Sequence, residues 1–169
     1  MSLVILFLLM ILATALPDLL PSFLSLQRHP PDLWALMVLY LAFRARGFKA
    51  VGWGILIGLV RDAVSLDPLG THAFVLGTLA FIFCEGRRDR GRIDGLSRVV
   101  LTGLGVLLAS WLYLLRLLPM GAAGVTAGAF LEAIPVALWS ALMAAGLFSL
   151  FDRYGLLDEL CGRSHAFSS

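Results

Sequence analysis

The chain is poor in charge. Only 14% of its 169 residues are Asp, Glu, Lys or Arg, against 60% hydrophobic residues and a mean hydropathy of +0.92. A soluble domain carries roughly 25% charged residues, so this composition excludes a water-exposed globule and points to a membrane protein. A net charge of +2 excludes the broad basic surface that nucleic acid requires, and no nucleic-acid partner is expected. Cysteine is scarce: Cys84 and Cys161 stand far apart with no CxxC, which excludes a disulfide framework and reads as two free thiols. Motifs for catalysis are missing too. There is no GxxxxGK[ST], GxGxxG, HExxH or GxSxG, so no cofactor and no enzyme activity is expected. His29, His72 and His165 fall in an outer loop, at a span start and in the tail, which gives no sign of a metal site. His72 could meet Ser65 or Ser110 as a base meets a nucleophile, but nothing in the sequence favours that over packing.

What the chain does contain is apolar runs. At roughly 20 residues per helical crossing, its length holds about five or six spans and almost no aqueous domain. Proline, glycine and charge clusters delimit six: Leu3 to Leu24, Pro31 to Phe43, Ala50 to Leu66, Pro68 to Cys84, Val99 to Leu118, and a sixth ending at Phe151. The start of the sixth has two readings. Ala133 to Phe151 puts Pro135 in the first turn, where proline is tolerated; Gly121 to Leu131 could instead extend the helix outward. The second span is short, covering about 20 Å at ~1.5 Å per residue. It must be sheltered by neighbours, thin the bilayer, or rely on Arg44 and Arg46 snorkelling. The expected fold is therefore all-α, a polytopic bundle of six transmembrane helices over residues 1–151 with a short polar tail over 152–169.

Basic residues orient the bundle. Arg44, Arg46 and Lys49 follow span two; Arg87, Arg88, Arg90, Arg92 and Arg98 lie between or flank spans four and five; Arg153 and Arg163 follow span six. With six spans all share one side, and the positive-inside bias makes that side and both termini cytoplasmic. The basic rim of Arg44, Arg46, Lys49, Arg87, Arg88, Arg90 and Arg92 suits anionic membrane lipids, at about 1 kcal/mol per residue near the surface. It serves equally as a topology determinant or a protein docking site.

Charges inside spans carry the most information. Arg61 and Asp62 interrupt span three near its outer end, where an unpaired charge costs several kcal/mol. As sequence neighbours they diverge around the helix, so each needs a partner elsewhere. Glu132, Asp18 and Asp67 are candidates for Arg61; Arg116 and His72 are candidates for Asp62. The expectation is an outer polar cluster of Arg61, Asp62, His72, Arg116 and Glu132, used as an interhelical clamp or as a binding site. Gly54 and Gly58 form a GxxxG face in span three, and Gly124 and Gly128 repeat the spacing before span six. Such glycines let backbones approach closely, within the bundle or, as the rival use, in self-association. Trp34, Trp53, Trp111 and Trp139 fall within spans, and those near the ends suit the interface.

These residues resemble a known family. Pro31-Asp32-Leu33-Trp34-Ala35-Leu36 and the following apolar run look like the second-span signature of MreD, the rod shape-determining membrane protein. The stretch from Gly54 through Gly58, Arg61, Asp62, Ser65, Leu69, Gly70 and His72 resembles the family's glycine-rich span, aspartate, serine three residues on, and Leu-Gly before the next span. The motif covers about residues 31 to 80, and Arg61 and Leu66-Asp67 depart from it. The resemblance singles out Pro31, Asp32, Gly58, Asp62, Ser65, Leu69 and Gly70. Asp32 is placed to cap span two, Gly70 to supply an unusual backbone angle or close approach, and Asp62 to anchor the turn.

The resemblance implies a non-enzymatic inner-membrane scaffold of the cell-elongation complex, acting in lateral peptidoglycan synthesis. It implies as partners MreC, a RodA-type glycan polymerase, a class B penicillin-binding protein and the MreB filament. It also implies a fold similar to the substrate-binding component of energy-coupling-factor transporters. That likeness supplies the rival function, a small-solute-binding component. A pocket of roughly 300 Å³ or more between the helices would favour the rival, and a packed centre the scaffold.

Overall fold

The structure, a computed structural model, describes residues 2–19, 30–45, 48–65, 67–88, 94–120 and 126–154. Six helices follow in chain order: α1 (Ser2–Leu19), α2 (Leu33–Arg44), α3 (Lys49–Val64), α4 (Thr71–Arg88), α5 (Gly95–Leu117) and α6 (Ala127–Tyr154). Among the described residues one 3-10 turn, Leu118–Met120, follows α5, and there is no strand.

The short helix α2 is the axis of the bundle. Asp32 starts it: its carboxylate accepts the Ala35 N–H at 3.1 Å, satisfying one of the donors that a helix start leaves open. Ala45 ends it in extended conformation. Every residue from Leu33 to Phe43 is buried, as suits a helix that is apolar all round. Its 12 residues span about 18 Å at ~1.5 Å each, well short of a ~30 Å hydrocarbon layer. Of the three remedies for a short span, the structure shows sheltering: α1, α3, α4, α5 and α6 all pack against α2.

Small residues set the approach of the outer helices. A Cβ added at Gly58 would lie 2.4 Å from the Ala73 Cα and 2.6 Å from the His72 carbonyl oxygen. One at Gly54 would lie 2.7 Å from the Leu76 carbonyl oxygen. The GxxxG face of α3 is thus spent inside the chain, against the backbone of α4. Helices α5 and α6 form a second tight pair, with Gly103 against the Ala141 methyl, and Gly105 meets Leu39 of α2 and Phe83 of α4. Gly128 is exposed and, among the described residues, has only the Thr126 hydroxyl near it and makes no close helix crossing with them; Gly124 lies outside the described residues.

Away from α2 the bundle shows apolar side chains on its outside. Phe7 and Leu8 of α1, Leu56 of α3, Phe74 and Phe81 of α4, Leu104 of α5 and Leu138 and Leu142 of α6 are all exposed. An apolar outer surface of this extent is incompatible with water and suits a bilayer. By length and composition two helices can cross a membrane, Gly95–Leu117 and Gly128–Tyr154; the apolar parts of α1, α2 and α4 are shorter.

Helix α6 starts well before Ala133, so the outward extension is the one adopted. Pro135 therefore lies inside the helix rather than in its first turn. Its missing N–H removes the helix donor of the Leu131 carbonyl, and one residue earlier the Trp111 indole N–H donates to the Phe130 carbonyl at 3.2 Å. At the other end α6 continues to Tyr154, so Asp152 to Tyr154, placed by sequence in the tail, are helical.

Candidate functional site

Charged and polar side chains gather at two ends of the bundle. At one end the N-termini of α2, α4 and α6 meet the C-termini of α3 and α5. Asp62, in the last turn of α3, is 3% exposed. Its carboxylate accepts the backbone N–H groups of Gly70 (3.0 Å), His72 (2.9 Å) and Ala73 (3.1 Å), and the His72 Nδ1 lies 2.9 Å away. It therefore caps α4 from a different helix, meeting the open donors and the positive end of the α4 dipole. The close α3–α4 crossing at Gly58 puts it within reach.

The turn that delivers those donors depends on Gly70, whose φ of +91° is one that L side chains rarely adopt. No atom crowds Gly70, so the angle and not a close approach is the reason for glycine. Leu69 beside it is 83% exposed. The Ser65 hydroxyl donates to the Asp62 carbonyl at 3.5 Å, and the buried Pro31 offers its carbonyl to the Leu33 N–H at 3.1 Å.

Arg61 points the other way around α3 and finds Asp32. Its Nη1 donates to both carboxylate oxygens, at 3.0 and 2.9 Å. Asp32 thus caps its own helix and neutralises Arg61, while its backbone N–H donates to the buried Ser140 hydroxyl of α6 at 2.9 Å. Of the partners expected for Arg61, Asp67 is engaged elsewhere, Glu132 makes no ion pair among the described residues, and the side chain of Asp18 lies outside them. Asp67 accepts the Tyr113 hydroxyl at 3.0 Å and sits 3.8 Å from the His72 Nε2, and the His72 ring stacks on Tyr113.

The expected cluster therefore needs correcting in its membership. Arg61, Asp62 and His72 come together, and Asp32, Asp67, Tyr113 and Ser140 join them. Arg116 is exposed at the end of α5, and Glu132 only lines the cleft beside the cluster. Arg116 fails as a partner for Asp62 because the α4 backbone and His72 already surround that carboxylate. Ser65 and Ser110 donate to carbonyls of their own helices rather than to His72, as packing residues do. Two adjoining clefts of about 450 and 460 Å³ open here, sharing Asp32, Arg61, Ser65 and Ser110 in their walls.

A second cluster, which sequence reasoning missed, closes the opposite end. Asp152 of α6 receives Arg44 of α2 at 2.9 Å, Arg98 of α5 at 2.8 Å and the Tyr40 hydroxyl at 3.1 Å. Arg44 is therefore not a free rim charge: its side chain is 17% exposed and paired. Lys49 is exposed at the start of α3. Arg87 and Arg88 close α4, with side chains that, like all of Arg46, Arg90 and Arg92, lie outside the described residues. The signal for Asp152 was present as an acid in the last turn of a helix, where it opposes the dipole and so needs cations. Among the described residues no three metal-ligating side chains gather.

Apolar outside, with its internal charges spent on one another at both ends, the chain has the construction of a helical membrane protein. The family model of the rod shape-determining protein MreD matches residues 1–154. The chain belongs to the MreD family, membrane proteins with a role in rod shape determination rather than a known enzyme activity. No curated protein and no solved structure matches it.

Proposed function

We propose that the protein is a multi-pass scaffold of the cell-elongation complex in the bacterial inner membrane, with both termini cytoplasmic. It positions partner membrane proteins and thereby regulates lateral peptidoglycan synthesis. The observation that carries this reading is the packed centre: α2 is buried from Leu33 to Phe43, and the surrounding charges are bonded to one another rather than arranged around a reacting atom. Such a bundle is suited to hold a shape and to present faces. Its partners would be an MreC-type protein, a RodA-type glycan polymerase, a class B penicillin-binding protein and the MreB filament, with anionic lipid at the basic rim. Because the Gly54/Gly58 face is consumed by α4, partners or a second copy would bind through the exposed apolar faces of the other helices.

The clefts beside Arg61 favour a second reading. At about 450 and 460 Å³ they exceed the roughly 300 Å³ at which small-molecule sites begin, as a solute-binding component of an energy-coupling-factor type transporter would require. They lie at one end of the bundle, beside the packed centre rather than in it. Purification of tagged protein from its native membrane in mild detergent, with mass spectrometry of proteins and retained small molecules, separates the two. Recovery of MreC-like protein and wall synthases supports the scaffold. An ATPase module with a bound solute overturns it.

A further inference from the structure

The helix pairs α3–α4 and α5–α6 face each other across the cleft of about 450 Å³, and one side chain stands in its wall. His72 of α4 is 5% exposed. Its two ring nitrogens face two different carboxylates, Nδ1 at 2.9 Å from Asp62 and Nε2 at 3.8 Å from Asp67. The Asp62 carboxylate already accepts three backbone N–H groups and offers no proton, so Nδ1 carries the hydrogen and donates it. In the neutral ring Nε2 is then a bare acceptor facing a carboxylate. Two acceptors repel, and 3.8 Å is beyond hydrogen-bond range.

We propose that protonation of His72 draws the α4 end and the α5 end together across this cleft. The added proton sits on Nε2, turns the repulsion into a charge-assisted N–H···O bond to Asp67, and leaves the Asp62 bond intact. Asp67 already holds the Tyr113 hydroxyl of α5 at 3.0 Å, so tightening His72 onto Asp67 pulls on α5. The other charged groups around the ring are Arg61 of α3 on its near side, paired to Asp32 of α2, and Glu132 of α6, which lines the same cleft. Burial and Arg61 oppose the added charge, while Asp62, Asp67 and Asp32 favour it. The pull moves the two walls of the cleft toward each other, so proton activity would set the width of the opening. The device acts within the bundle whichever partner the protein serves.

The test uses the purified full chain in detergent, with Cys84 and Cys161 replaced and spin labels at Leu69→Cys, in the turn before α4, and Leu118→Cys, directly after α5, both exposed positions. Inter-label distances are measured at pH 7.5 and 5.5. The expected result is a shorter and narrower distance distribution at pH 5.5 in the parent, which Asp67→Asn abolishes and Asp67→Glu retains. His72→Gln also abolishes it, but that variant loses an Asp62 bond and can fail to fold, so Asp67→Asn is the deciding comparison. A distance that does not change with pH, or a change that persists in Asp67→Asn, overturns the proposal.

Discussion

Replacing Gly58 with alanine adds one methyl group where the backbone of α4 already stands. The new Cβ would lie 2.4 Å from the Ala73 Cα, whereas ordinary contact begins at 3.4 Å, so the two helices must part by about 1 Å at that point. Three bonds sit beside the crossing: the Gly70, His72 and Ala73 N–H groups on Asp62, at 3.0, 2.9 and 3.1 Å. Moved by about 1 Å they fall outside the ~3.2 Å limit of a useful N–H···O bond. Overpacking alone costs about 1 to 3 kcal/mol, and each lost bond to a charged acceptor costs about 1.5 to 3 kcal/mol. Alanine's better helix propensity returns about 1 kcal/mol. The expected loss is about 3 kcal/mol or more, a large share of a typical stability of about 5 to 15 kcal/mol. Tryptophan fluorescence during thermal or denaturant unfolding in mild detergent measures it. Gly52→Ala is the internal control: it lies on the same helix, its added Cβ meets nothing within 4 Å, and it should be neutral or slightly stabilising. If Gly58→Ala comes within about 0.5 kcal/mol, the ordinary surface range, of Gly52→Ala, the close crossing is not there and the reasoning fails.

Gly70→Ala should destabilise by about 1 kcal/mol through strain at positive φ, despite the empty space around it; equal unfolding midpoints would show that the turn adopts another conformation. Asp62→Ala, which strips the cap from α4 and leaves His72 without its Nδ1 partner, should cost about 2 kcal/mol or more; the same unfolding assay would expose a solvated, non-capping Asp62 by showing no loss. Ser140→Ala removes the acceptor for the Asp32 N–H and should cost about 1 to 3 kcal/mol, whereas a neutral result would mean water replaces the hydroxyl. A double-mutant cycle over Arg61→Gln and Asp32→Asn should give a coupling of about 0.5 to 3 kcal/mol, and strict additivity of the two single changes would break the pair.

Much of this protein was legible along the chain because the cause was local. Apolar run length marked out the helices, Asp32 announced the start of α2 by being a carboxylate before an apolar helix, and Gly70 marked a turn that only glycine enters easily. The motif from Gly54 to His72 was enough to suggest the family, and the match over residues 1–154 supports it. Even the need of Arg61 and Asp62 for separate partners follows from the 100° step between neighbours on a helix.

Which partners they take was a tertiary decision. Arg61 chose Asp32, already assigned a capping role, because α2 lies at the centre of the bundle and brings its N-terminus beside the end of α3. Asp62 chose backbone N–H groups, which carry no sequence signature, because Gly58 lets α4 approach closely. Arg116 and Glu132 stayed outside the cluster, and Asp152 gathered Arg44, Arg98 and Tyr40 from two other helices, because pairing depends on how helix ends come into register. Composition and periodicity determine that helices form and which are apolar. Only packing around α2 determines which charges meet, since that geometry belongs to all the helices at once.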